Sequence, residues 1–279
     1  MKDNHNLKDY TMAWGAKDIP FAENAGKNFF LTDQYERATQ LLQQTASLRS
    51  VMLLSGPNGI GKSQLLTRWS RSLDPKRFVP VVMTQSTLNA NGMLATVLTK
   101  LGSSPSNRKS INLAVMEDAL HNLGSVIPVL ILDEAQLYTQ SVLEEIRLTL
   151  GLNLSDAPSF ALILCGDNYI LAGMRYQSRK PLYTRISASY QLQPMTSQQA
   201  REYLLNRLQT AGIDRDPFDP AAVDILLSAA DGIPRAINLI GRMAWLEASR
   251  DGKTSITADH VASAIKLIPS AHDKIATQA

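Results

Sequence analysis

The run Gly56-Pro57-Asn58-Gly59-Ile60-Gly61-Lys62-Ser63 fits G-x-x-x-x-G-K-[ST] and follows an apolar stretch, Val51-Met52-Leu53-Leu54. The chemistry this spacing allows is phosphate binding. Glycines let the backbone curl so that successive N–H groups point inward, and a helix starting near Lys62 turns its positive end to the same anion. Lys62 then reaches the β- and γ-phosphates as a point charge, and the Ser63 hydroxyl completes the coordination of a Mg²⁺ ion. The apolar run before the loop and the helix-like Gln64-Leu65-Leu66-Thr67-Arg68-Trp69 after it give the strand–loop–helix context the motif requires. Gly56 through Gln64 are therefore read as contacts to a nucleoside triphosphate.

A second group is Val129-Leu130-Ile131-Leu132-Asp133-Glu134-Ala135-Gln136. Two adjacent acids at the end of a buried apolar strand are costly unless a cation or a reacting water waits there. Asp133 suits the Mg²⁺ ion through a water, and Glu134 suits orienting and deprotonating the attacking water. Hydrolysis also needs positive charge at the γ-phosphate. Arg175, Arg179, Lys180 and Arg185 follow one another closely, and the first three read as a solvated basic surface. Arg235, in Gly232-Ile233-Pro234-Arg235, sits at a helix start, where it opposes the helix dipole; a phosphate partner explains it better than local stability does. Gly166-Asp167-Asn168, after an apolar strand, supplies polar groups that could sense the γ-phosphate.

These residues need a scaffold, and the periodicity supplies one. Short apolar runs at 51–54, 78–83, 128–132 and 160–165 alternate with helical patterns at 92–101, 113–123 and 141–150, which predicts a parallel sheet covered by helices on both faces. After about residue 190 only helical spacing is found, at 197–211, 220–230, 234–249 and 257–268, with Thr196, Asp219 and Thr257 as N-caps. The expected organisation is an N-terminal extension at 1–34 packing on the nucleotide site, an α/β nucleotide-binding domain at 35–193, and a helical lid at 194–279 whose end frays.

The 279 residues are 44% apolar and 19% charged, an ordinary globular composition. Lys and Arg number 28 against 25 Asp and Glu, so a net charge of +3 requires any basic surface to be local. A single cysteine, Cys165, excludes an intrachain disulfide. No apolar segment approaches the roughly 18 residues that span a bilayer. The polar start Met1-Lys2-Asp3-Asn4-His5-Asn6 is no signal peptide, so a cytoplasmic location without membrane anchoring is expected.

Taken together the motifs resemble the AAA+ ATPases, and within them the group of ExeA-type secretion ATPases and TnsC-, TniB- and MuB-like regulators of DNA transposition. The resemblance begins with Trp14-Gly15-Ala16-Lys17-Asp18-Ile19-Pro20-Phe21 and Phe29-Phe30 and runs through the loop, Leu132-Asp133-Glu134-Ala135-Gln136, Arg185-Ile186 and Gly232-Ile233-Pro234-Arg235-Ala236-Ile237-Asn238. It implies a P-loop AAA+ sheet sandwiched by helices, followed by a small all-helical lid. It implies that Lys62, Glu134 and Arg185 act in catalysis, with Arg185 reaching into a neighbouring subunit, and that Arg235 is a second sensor. The family's Gly-Gln after the fourth apolar strand is here Gly166-Asp167, so Asp167 and Asn168 compete for the first-sensor role.

Secretion ATPases of the ExeA kind continue into a transmembrane helix and a cell-wall-binding region, and the absence of both by residue 279 is similar to a transposition regulator. The resemblance then implies ATP and Mg²⁺ as cofactors and a homo-oligomer, a hexameric ring or a helical filament, on duplex DNA. It also implies a transposase and a target-selection protein as partners. Lys100, Arg108 and Lys109 are the candidates for DNA phosphate contacts.

Overall fold

The computed structural model describes residues 7–22, 29–84, 87–150, 158–176 and 179–269. In chain order the elements are α1 (Leu7–Ala13), α2 (Asp33–Ser47), β1 (Val51–Ser55), α3 (Lys62–Ser72), β2 (Phe78–Met83), α4 (Ala90–Lys100), α5 (Lys109–Asn122) and β3 (Ile127–Leu132). They continue with α6 (Gln140–Leu150), β4 (Ala161–Gly166), α7 (Ile170–Met174), α8 (Lys180–Tyr183), β5 (Ile186–Gln191), α9 (Ser197–Thr210), α10 (Pro220–Ala230), α11 (Pro234–Arg250) and α12 (Ala258–Lys266). The polar start at 1–6 and residues 270–279 of the end expected to fray lie outside the described residues. So do Gln177 and Ser178 of the basic stretch.

The chain divides into two compact units. One comprises Thr32–Asn58 and Lys62–Leu192 and contains the sheet; the other comprises Met1–Leu31, Gly59–Gly61 and Gln193–Ala279.

In the sheet unit five parallel strands run in the order β2-β3-β4-β1-β5. The three inner strands are apolar along their length because helices cover both faces. Met52, Leu53, Leu54, Ile131, Leu132, Ile163 and Leu164 have no exposed surface, and each such side chain contributes roughly 1.5–3 kcal/mol of burial. Two prolines sit where the ladder tolerates them. Pro80 lies on the edge strand β2, and Pro128 precedes Val129, where pairing of β3 with β4 begins.

The strand β5 is not expected from the sequence, which reads only helices beyond about residue 190 and places no strand between residue 165 and those helices. Its residues, Ile-Ser-Ala-Ser-Tyr-Gln, alternate half-buried and exposed, because β5 is the other edge and has β1 on one side alone. An edge strand needs no continuous apolar run, so the signal that marks the inner strands is missing here.

The second unit is helical. The α11 residues Ile237, Ile240, Ala244 and Ala248 recur at helical spacing and are fully buried, in a unit whose other helices bury Leu204, Val223, Leu226 and Val261. Thr196 caps α9 with a reciprocal box: its hydroxyl accepts from the Gln199 N–H at 3.2 Å and its own N–H donates to Gln199 Oε1 at 3.1 Å. Asp219 precedes α10 without a capping hydrogen bond from its side chain, and the Thr257 N–H donates to His260 Nδ1 at 3.1 Å. The N-terminal segment belongs to this unit. Phe21 is buried, edge to face with Phe218 and against Gly241, and Phe30 stacks edge to face on Tyr203.

Candidate functional site

In a parallel sheet the strands all end on one side, and ligands bind outside their carboxyl ends. Here Ser55 of β1 pairs with Gly166 of β4, and Leu132 of β3 pairs with Leu164 of β4. The start of the glycine loop, the acidic pair and Asp167-Asn168 therefore leave the same edge of three adjacent strands.

The loop residues Gly56, Pro57 and Asn58 leave β1, and Lys62, Ser63 and Gln64 open α3. The Lys62 side chain is 5% exposed and folds back over the loop, donating to the carbonyls of Gly56 at 2.8 Å and Pro57 at 3.1 Å. A buried ammonium without such acceptors would be expensive, so the loop's own carbonyls hold it in place. Ser63 and Gln64 are exposed in the first turn of α3.

Asp133 and Glu134 follow β3 and are half-buried. Asp133 accepts the Glu134 N–H at 3.0 Å through Oδ1, and Glu134 has left-handed backbone at φ 51° and ψ 45°. That conformation costs a non-glycine residue on the order of 1 kcal/mol. The buried Cys165 thiol reports on what surrounds it. Burial first, then the charge of Asp133 and a hydrogen bond to that carboxylate, push the thiol far above its usual range; the Lys62 ammonium opposes the rise and Glu134 adds to it. Tyr138 is also pushed up, to about 12, by burial and then by Asp133, and its hydroxyl donates to the Met83 carbonyl at 3.2 Å.

Gln136 is not among the site residues expected from the sequence, although it closes the acidic motif. Its Nε2 donates to Glu134 Oε2 at 2.6 Å, and its Oε1 accepts from the Asp167 N–H at 3.4 Å. Only the fold reveals this bridge, because Gln136 and Asp167 are 31 residues apart. Asn168 is exposed and accepts from Gln191 Nε2 at 3.2 Å, while the Asp167 carboxylate caps the Tyr169 N–H at 2.9 Å. Of the two candidate sensors, Asp167 has the side chain committed to its own turn.

Arg185 lies between α8 and β5 and is exposed, with its charge felt by Glu144 on α6. In the helical unit Arg235 is exposed at the second position of α11, after Pro234. Its N–H, one of the four that a helix start leaves without an internal partner, donates to the Gly59 carbonyl at 3.2 Å. The backbone before it is fixed by Gly232, at φ +67°, whose carbonyl accepts the Met195 N–H at 2.9 Å.

Lys100, Arg108 and Lys109 are exposed around the turn between α4 and α5. Lys109 forms an ion pair with Glu145 of α6, whose side chain is 5% exposed, so much of its charge is already answered. Fully buried Asn112 pins the same turn: its Nδ2 donates at 2.8 Å to both Asn91 Oδ1 and the Ser106 carbonyl, and its Oδ1 accepts the Ser106 N–H at 2.6 Å.

Oxygen donors suit a hard divalent cation. Among the described residues no group of three or more His, Cys, Asp or Glu gathers to hold a metal. A Mg²⁺ ion does not require one, since it keeps several waters and takes one or two protein oxygens beside substrate phosphates. Ser63 and Asp133 fit that demand.

The strand order, the glycine loop after β1 and the acidic pair after β3 define an AAA+ P-loop fold, which is a nucleotide-binding fold. Residues 44–174 match the family model described as an AAA domain. It is similar to General secretion pathway protein A of Aeromonas hydrophila, 26% identical over 271 residues that make up 95% of this chain and 49% of that protein. The chain thus spans about half the length of that curated relative. The Aeropyrum pernix ORC2 protein, solved as ADPNP-ADP complexes, has the same fold, with a TM-score of 0.65 and 18% identity over 90% of this chain and 72% of that one. So does the Aeropyrum pernix ORC1 protein solved in complex with DNA, with a TM-score of 0.68 and 17% identity over 89% of this chain and 68% of that one. No helix among the described residues is long and apolar enough to cross a membrane.

Proposed function

We propose that this protein is a Mg²⁺-dependent ATPase that assembles on duplex DNA as an ATP-bound homo-oligomer, recruits and activates a transposase at a site chosen by a target-selection protein, and disassembles when ATP becomes ADP and phosphate. The observation that carries the hydrolysis reading is the strand register, by which the glycine loop after β1, the acidic pair after β3 and the turn after β4 leave the same edge of three adjacent strands. Binding would rest on the N–H groups of Gly56 through Gly61 and on Lys62, which exchanges its loop carbonyls for phosphate oxygens. Mg²⁺, held by Ser63 and Asp133, would neutralise charge on the phosphates. Glu134 would take the proton of the attacking water, and Asn168 would read the γ-phosphate. Arg185, exposed as it is, would serve a neighbouring subunit's site.

The DNA reading rests on the resemblance carried by Asp133-Glu134-Ala135-Gln136 and Gly232-Ile233-Pro234-Arg235, and on the likeness of fold to a protein solved with DNA. Lys100 and Arg108 on the pinned turn would contribute phosphate contacts, which predicts binding that weakens steeply with salt and ignores sequence. A second reading, an ATPase acting on protein assembly or secretion, is favoured by the match to General secretion pathway protein A. Electron micrographs with a non-hydrolysable ATP analogue, with and without duplex DNA, separate the two. Rings or filaments that require both nucleotide and DNA support the first; ATP-bound protein that ignores DNA favours the second; monomers in every condition contradict oligomeric action.

A further inference from the structure

We propose that Gln136 is a positioning residue that ties the orientation of Glu134 to the turn after β4, so that the water-activating carboxylate is in place only when that turn is. The inference rests on the hydrolysis reading above and adds how hydrolysis is controlled. Three observations carry it. Gln136 Nε2 donates to Glu134 Oε2 at 2.6 Å, a short, charge-assisted contact. On its other side Oε1 accepts the Asp167 N–H at 3.4 Å, a long and readily altered bond. Finally, position 166 has room for this side chain only because it is glycine: an added Cβ would lie 2.4 Å from Gln136 Oε1 and 2.6 Å from Ile170 Cδ1.

The amide thus spans from the acid after β3 to the turn after β4, across adjacent strands. Glu134 itself has left-handed backbone, so the carboxylate is aimed by a strained residue and held by a single side-chain donor among the described residues. A shift of Asp167-Asn168, the turn read above as facing the γ-phosphate, would move Oε1 and with it Nε2. Glutamine fits this task. It donates and accepts from one rigid amide, and no residue with only donors or only acceptors can do both.

The test measures ATP affinity with a fluorescent nucleotide and ATP turnover for wild type, Gln136→Glu, Gln136→Ala, Gly166→Ala and the Gln136→Ala/Gly166→Ala double variant. Gln136→Glu keeps the length and the acceptor but loses the donor. Both Gln136 variants are expected to bind ATP within about threefold of wild type and to lose about tenfold or more in kcat, the range expected for one hydrogen bond to a charged group. Gly166→Ala displaces the same amide and should reproduce the loss, and the double variant should be no slower than the slower single within about twofold. A merely structural role would leave Gln136→Glu near wild-type kcat or make the two losses multiply, and either result overturns the inference. Wild-type protein that binds ATP without turning it over would instead sink the hydrolysis reading, and this inference with it.

Discussion

Gly232→Ala tests whether the turn before α11 is as constrained as its geometry implies. Gly232 has φ +67°, in the left-handed region, where an alanine costs on the order of 1 kcal/mol. A Cβ there would lie 2.3 Å from the Met195 carbonyl oxygen and 2.8 Å from the Met195 nitrogen. Both are backbone atoms, so no side-chain rotation relieves the overlap. The turn must then open, which lengthens the 2.9 Å bond from the Met195 N–H to the Gly232 carbonyl, worth about 1 kcal/mol, while residual crowding adds about 1 kcal/mol more. The sum, about 3 kcal/mol, corresponds to a fall of roughly 6–12 °C in melting temperature for a chain of this size. Urea unfolding followed by fluorescence reads it directly, since Trp14 and Trp245 both belong to the helical unit and are buried there. A loss below about 0.5 kcal/mol would refute the reasoning, since the positive φ alone should cost more than that.

Other outcomes follow from the site. Lys62→Ala removes the only charged side chain in the loop; ATP affinity should fall on the order of a hundredfold, as loss of a charge-assisted hydrogen-bonding partner to phosphate implies, and fluorescent-nucleotide titration checks it. Cys165 has no exposed surface, and burial together with Asp133 keeps its thiol protonated well above the usual range. At pH 8 it should therefore resist a thiol reagent in the native protein and react on unfolding; rapid modification with native circular dichroism would contradict that environment. Lys109→Ala leaves buried Glu145 without its ion-pair partner, so it should cost about 1 kcal/mol or more of stability in thermal unfolding yet weaken DNA binding less than Arg108→Ala does in a filter-binding assay.

Much of the sheet and the glycine loop that follows β1 can be read in the residues alone, for a physical reason. Buried inner strands must be continuously apolar, and a phosphate loop must be glycine-rich, so Val51–Ser55, Ile127–Leu132 and Gly56 through Ser63 mark themselves locally. What escapes such reading depends on partners distant in the chain. The strand β5 is half-polar because it is an edge, and its identity comes from pairing with β1. Gln136 looks like part of a motif until β4 brings Asp167 beside it, and Lys109 looks like a free surface charge until α6 supplies Glu145. Phe21 could serve a ligand or a core by its type, and Phe218 and Gly241 place it in the core of the helical unit.

The central claim is that Glu134 activates water for a nucleotide held by Lys62. Single-turnover hydrolysis of labelled ATP by wild type and by Glu134→Gln tests it most directly, with bound nucleotide measured in the same samples. The account predicts equal ATP binding, wild-type conversion to ADP and phosphate, and a loss of about a hundredfold or more in rate for the variant. Equal rates in the two proteins, or no conversion by wild type under any condition that binds ATP, would contradict it.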